Sequence, residues 1–432
     1  MANSYLSRSV SSAGNRKTFT LSAWVKRGII SSGEHNIFGN SDSGYNNGFA
    51  VKFNSSDQLR VIMQDSSNYE KKPNRVFRDL SAWYHLVIQV DTTQSTATDR
   101  VKIWVNGVQE TSFATDTMPS QNYDTHWNNT TQTTTVGRSG NYNGDYYDGY
   151  ITHASNVDGS VVAPTVFGQT DSTSGIWKFK SPSGVTWGNN GFHLKFENSG
   201  NLGLDSSGNG NNLTVSGNLK QAIDNPSNNY STCNELTTSS MSDLTQGNNT
   251  VKGNTATNDG ETYSTLGTGN KGKWYWEIKA TGLNGNGNPK LGFVHTNSDN
   301  IFRLQNGGSG YGGGSNSDSI MIRPDGKVID GGSTSGVLYG TFSAGDILSF
   351  ALDSDNGAFY YAINGTWQNS GNPASGASKT GAVKTWTPTS DKASHGQHVC
   401  IGTYDTATQA DCNFGNGFFG TTAITSAGSN GN

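Results

Sequence analysis

Charge is scarce in this chain. Only 14% of its 432 residues are Asp, Glu, Lys or Arg, against about a quarter in ordinary globular proteins. The net charge of −4 gives no general attraction for nucleic acid, which calls for a basic face, so nucleic acid is not expected as a partner. Long hydrophobic runs are missing as well. No stretch of about 18 apolar residues occurs, and no membrane insertion is expected. The opening MANSYLSRSVSSAG has neither the charged nor the apolar region of a secretory leader, which points to synthesis in a cytoplasm. Cysteine is nearly absent too. Cys233, Cys400 and Cys412 fit no metal-binding spacing, and an odd count makes no disulfide framework. Cys400 and Cys412 could face each other on neighbouring strands, but buried free thiols are the expectation.

Turn formers and aromatic rings take the place of charge. The chain holds 56 Gly, 10 Trp, 17 Tyr and 18 Phe, enough rings to fill compact cores between many loops. In KTFTLSAWVK (17–26), Phe19, Leu21, Ala23 and Val25 fall on one face, the period of a half-buried strand. GFAVKF (48–53), QLRVIM (58–63) and WYHLVIQVD (83–91) repeat that pattern, and TTTVGR, GYITHAS and FHLKFEN extend it. VKIWVNGVQE (101–110) spells a hairpin, because Asn106-Gly107 suits a two-residue turn with positive φ. Downstream, Trp274, Trp276 and Ile278 share a face in GKWYWEIKATG, and Asn364-Gly365 repeats the hairpin signal after GDILSFALDSDNGAFYYAI. No convincing amphipathic helix is present. The expected fold is all-β: two tandem antiparallel β-sandwiches. Residues 1–200 form the first, 241–432 the second, and the turn-rich stretch 201–240 is read as a connector.

The usual catalytic patterns are missing. Glycosidic cleavage needs two carboxylates facing one another across the bond, yet Glu197 and Glu277 each stand alone in a strand. GTGNKGK (267–273) nearly spells a phosphate loop, but Trp274 stands where Ser or Thr is required, and a strand follows instead of a helix. His395 and His398 lack a nearby third ligand, and no Gly-x-Ser-x-Gly elbow exists. The chain is therefore expected not to be an enzyme, and no cofactor is implied.

Taken together, YLSR (5–8), FTLSAWVKR (19–27), WYHLVIQVD, RVKIWVNG, YDGYITHASNVDG (147–159) and DSSGNGNNLTV (205–215) make the N-terminal half resemble laminin-G/concanavalin-A-like jelly rolls. The C-terminal half resembles a SPRY-type sandwich through KWYWEIK, LGFV, GDILSFALD, FYYAINGTW and NFGNGFF (413–419). The tandem, with connecting phrases such as FGQTDSTSGIWKFK and DNPSNNYSTCNEL, is similar to structural proteins of marine tailed bacteriophages. That resemblance implies a virion component made in the host cytoplasm. Laminin-G-like domains often hold calcium at the loop rim, and Asp145, Asp148 and Asp205 offer hard oxygen ligands. Such Asp-rich loops also form without metal, and no ligand set is assigned.

The polar-aromatic loops NYDTHWNN, NYNGDYYDGY and NGGSGYGGGSNSDS carry the candidates for ligand contact: Trp127, Tyr142, Tyr146, Tyr147 and Tyr311. Rigid rings beside Asn and Asp suit sugars, although the same rings could pack beneath their own loops. The expected role is a tail-fibre or appendage component that recognises a host surface glycan, self-associated as a trimer and bound to other virion proteins. A first strand beginning near Tyr5 leaves no room for a tail anchor, which keeps capsid decoration as the alternative. A polysaccharide-degrading enzyme is the third reading, requiring carboxylates from distant segments to converge.

Overall fold

The computed structural model describes residues 3–44, 46–255, 260–285, 287–295, 319–331, 333–388 and 396–424. Two compact units result. One comprises Met1–Gln221 with Asn225–Asn229, the other Ala222–Asp224 with Tyr230–Asn432. Among the described residues each unit is built on one eight-stranded and one six-stranded antiparallel sheet. No α-helix occurs among them.

In the first unit the larger sheet runs, in spatial order, Phe113–Thr117, Asn68–Pro73, Leu59–Gln64, Gly48–Phe53, His35–Ser41, Thr134–Val136, Tyr5–Arg8, Thr214–Ser216. The smaller runs Phe192–Leu194, Gly149–Asp158, Thr18–Arg27, Tyr84–Asp91, Val101–Val105, Val108–Gln109. Alternation decides which face turns inward. Phe19, Leu21, Ala23 and Val25 from the smaller sheet meet Phe38, Phe49, Val51 and Val61 from the larger in a single buried core. At the hairpin, Asn106 and Gly107 take φ of 48° and 78° and Val105 pairs with Val108, the turn geometry that follows strand twist.

The opposite face of Thr18–Arg27 is not open to water. Thr20, Ser22, Trp24 and Lys26 are all buried. A second layer covers this sheet: Phe167, Trp187 and Val185 pack with Val87, Val157 and Trp104, and a hairpin of Gly168–Thr170 with Trp177–Phe179 lays Trp177 on His85. Strands read as half-buried thus bury both faces.

The stretch 201–240 is not a free connector. Thr214–Ser216 adds to the larger sheet through Tyr5↔Ser216 and Ser7↔Thr214, and chain up to Gln221 belongs to the first unit. A backbone whose N–H and C=O groups are taken up by a neighbouring strand is part of the fold, whatever its turn content.

In the second unit Lys273–Gly282 lies between Gln409–Asn413 and Ile347–Asp353 in the larger sheet. Trp276, Ile278, Phe350, Leu352, Phe359 and Tyr361 face Leu291, Phe293, Ile320 and Ile401 of the smaller one. Asn364-Gly365 closes its hairpin at φ 46° and 82°. The all-β, two-sandwich architecture is as expected from the strand pattern.

Candidate functional site

The loop from Gly137 to Asp148 joins two sheets, leaving the strand Thr134–Val136 and entering Gly149–Asp158. Its backbone is pinned repeatedly. Tyr147 N–H donates to Gly137 O at 3.0 Å, Asn141 N–H to Ser41 O at 2.9 Å, and Asn36 N–H to Asp145 O at 2.9 Å. Within the loop, Tyr142 N–H donates to Ser139 O at 3.0 Å. Side chains add to this. Arg138 Nε donates to Gly140 O at 2.9 Å, and Asp145 Oδ2 accepts from Lys52 Nζ and from Ser139 Oγ, each at 3.0 Å. Gly140, at φ 57°, has to be glycine, because a Cβ there would stand 2.0 Å from Ser41 N.

This scaffold sorts the loop's rings into two groups. Tyr147 turns inward against the core and donates its hydroxyl to Lys26 O at 3.1 Å; burial pushes its phenol far above the ordinary range. Tyr142 and Tyr146 turn outward. Tyr142 is 38% exposed, while half-buried Tyr146 lies 6.1 Å from Tyr5, ring centre to ring centre. Tyr5 carries the Arg138 guanidinium over its face at 3.8 Å, a cation–π contact. Tyr146 donates its hydroxyl to Asn143 Oδ1 at 2.5 Å. Two rings, a guanidinium and an amide therefore share one partly exposed patch, and the exposed Tyr142 lies on the same pinned loop.

Two sequence-derived candidates need correction. Trp127 is fully buried, stacked on Phe19, edge-on to Phe38 and 5.5 Å from Phe49. Its Nε1–H donates to Asn156 Oδ1 at 3.1 Å, so it fills the core and reaches no external ligand. Tyr147, packed and hydrogen-bonded as above, anchors the loop instead of contacting a ligand. Tyr311 lies outside the described residues. The sequence reading missed Tyr5 and Arg138. Tyr5 sits in a strand distant from the loop, and Arg138 sits in no polar-aromatic cluster.

Three carboxylates, Glu34, Glu70 and Asp145, are paired with cations. Glu34 pairs with Lys52 and Arg60, Asp145 with Lys52, and Glu70 with Arg60 at 2.7 Å. Asp148 is the loop carboxyl that burial pushes up, and the side chain acting on it electrostatically is His35, not a second carboxylate. Asp205 spends its oxygens on N–H and hydroxyl donors: His193 N, Ser207 N and Oγ, and Asn211 N, at 2.8–2.9 Å. Donors of that kind compete with a calcium ion for the same lone pairs. Among the described residues no group of three or more His, Cys, Asp or Glu is gathered as a metal site would require.

Comparison with known proteins finds a match within the first unit. Residues 2–166 match the concanavalin A-like lectin/glucanases superfamily. This concanavalin-like segment contains every described residue of the aromatic patch. Two solved structures are also similar to the chain. The SPRY domain of human HERC1 is 12% identical, with a TM-score of 0.29, over 40% of this chain and 92% of that one. A human SPRY domain is 13% identical, with a TM-score of 0.30, over 40% and 96%. No curated protein sequence matches the chain.

Proposed function

We propose that the protein is a non-catalytic recognition protein whose first sandwich binds a surface glycan through Tyr5, Arg138, Tyr142, Asn143 and Tyr146. The observation that carries this reading is the pinned Gly137–Asp148 backbone, which holds two tyrosines outward and a third, Tyr147, inward. Sugar rings present apolar C–H faces that stack on aromatics, while their hydroxyls pair with amide and guanidinium groups. Pre-set geometry removes part of the ordering cost that weakens such contacts. The concanavalin-like match, a family that includes lectins by its description, is consistent with this reading. The paired state of Glu34, Glu70 and Asp145 favours binding over hydrolysis, since a general acid must hold a proton and face a second carboxylate.

The setting proposed is a tailed-phage particle, with the chain as a self-associated tail-fibre or appendage component that meets the host surface. This part rests on the sequence resemblance to marine phage structural proteins. Trimeric assembly would multiply weak single contacts into useful avidity.

A glycan array probed with the intact chain and with the double variant Tyr142→Ala/Tyr146→Ala tests the binding claim. Loss of two stacking rings is expected to weaken binding at least about tenfold, the scale of one to two aromatic hot spots. Thermal stability should change little, because both rings are at the surface. Equal binding by the variant and the wild type would contradict the assignment.

A further inference from the structure

All three cysteines are buried and unbridged, but they are not equivalent. Cys400 pairs in register with Tyr263 and Gly292, and its side chain packs with Tyr263, Val294, Met321 and Ile329. Cys233 and Cys412 instead belong to the core between the two sheets of the second unit. Their Sγ atoms lie 3.8 Å apart, although the residues are 179 positions apart in sequence. One tight turn addresses both backbones: Cys233 N–H donates to Asn248 O at 2.8 Å and Cys412 N–H to the adjacent Asn249 O at 2.6 Å. Cys233 is also bridged to Ser264, and Cys412 stands opposite Ile278 in the central strand pairing. Both partners are therefore held in place.

We propose that Cys233 and Cys412 form a redox-controlled cross-link that ties the entry segment of the second unit to its strand Gln409–Asn413. The reaction is exchange with a low-molecular-weight disulfide such as oxidised glutathione. One thiolate attacks the small disulfide and releases one reduced glutathione. The second thiolate then attacks the mixed disulfide, forms the Sγ–Sγ bond and releases another. The two protein thiols lose two electrons and two protons, and both glutathiones gain them. Closing the sulfurs from contact to bonding distance asks for a shift of under about 2 Å, given a bond length near 2 Å. The hydrogen-bond contact with Cys233, then burial, raise the Cys412 thiol well above its ordinary value, and the closed state shields it from reagent, so exchange there is slow. The reduced form therefore persists in a reducing cytoplasm, and the bridge forms on long exposure to an oxidising one. A bridge across so long a loop restricts the unfolded chain strongly.

The test incubates the intact chain with excess oxidised glutathione, then unfolds it in alkylating reagent. The expected product is lighter by two hydrogens, labelled on Cys400 alone, and yields a linked Cys233–Cys412 peptide. Its second unit should melt on the order of 10 °C higher, a gain reversed by reductant. The variant Cys412→Ala should give neither the linked peptide nor the stabilisation. Three alkylated thiols after oxidation, a bridge to Cys400, or glutathione adducts alone would overturn the proposal.

Discussion

Lowering the pH from 7 to 4 is expected to remove on the order of 5 kcal/mol from the stability of the first unit, with the buried His85 and His193 and the half-buried His153 responsible. His85 is fully buried between Trp24 and Trp177. Trp177 Nε1, a donor only, reaches His85 Nδ1 at 3.0 Å, so Nδ1 accepts and Nε2–H donates to Ser22 Oγ at 2.9 Å. That arrangement demands the neutral ring. Burial, followed by the charge of His153, holds the His85 pKa at about 3.

His153 stacks on Phe179 at 3.7 Å, and its Nδ1 lies 3.3 Å from His193 Nε2. One shared proton satisfies that contact, and a second would set N–H against N–H. Burial first, then His193 and Lys195, hold His153 at about 3, while burial and Lys195 hold His193 at about 4, with Asp205 opposing. The sign follows directly. These folded pKa values lie below the unfolded value of about 6.5, so the unfolded chain binds more protons. Stability is complete above pH 6.5, falls as pH drops, and stops falling below about pH 3. Burial moves His126 in the same direction, whereas the raised Asp148 carboxyl works the other way. Carboxylates with lowered pKa, such as Asp91 and Asp65, cost stability mainly below about pH 4, so from about pH 6.5 to 4 the imidazoles outweigh the carboxyls. Melting curves should shift down by roughly 10–20 °C across it, and His193→Gln should flatten the dependence. A flat melting temperature from pH 7 to 4.5 would contradict the buried-neutral assignment.

Trp127→Ala is expected to destabilise the first unit by about 3–5 kcal/mol, the range for removing a buried large aromatic. The indole touches Phe19 of one sheet and Phe38 and Phe49 of the other, so its loss opens a cavity between the sheets. A polar cost is added. Asn156 Oδ1 loses the indole donor while its Nδ2 stays tied to Asn128 Oδ1 at 2.9 Å and Asn190 O at 3.0 Å, leaving a buried acceptor unpaired. Urea unfolding checks this. A change below about 1 kcal/mol, the size expected for a surface residue, would mean that the ring does not fill the core.

How much of this was legible in the sequence depends on whether the signal was local. Phe19, Leu21, Ala23 and Val25, and both Asn-Gly turns, were readable because period-two alternation and positive φ are properties of a few adjacent residues. Trp127 was not, since NYDTHWNN has no period and nothing local says which ring turns inward. The second layer was also hidden. Its trace is Trp24, Val87 and Trp104, large apolar side chains on faces the alternation assigned to solvent. Thr214–Ser216 gave no signal, because its strand character exists only through pairing with residues about 200 positions away. Within the candidate loop, Tyr142, Tyr146 and Tyr147 were picked out together by composition. Their division into outward and inward rings came from hydrogen bonds to remote carbonyls such as Lys26 O.

The central claim is that the first sandwich holds a glycan without breaking it, and one assay addresses both halves. The intact chain is mixed with host envelope polysaccharide, and bound polymer and free reducing ends are followed together over time. The account predicts saturable retention with reducing ends constant at the level of the protein-free control. Reducing ends that rise in proportion to protein would contradict it, and would require a carboxyl such as Asp148 to meet a second acidic group across the bound sugar.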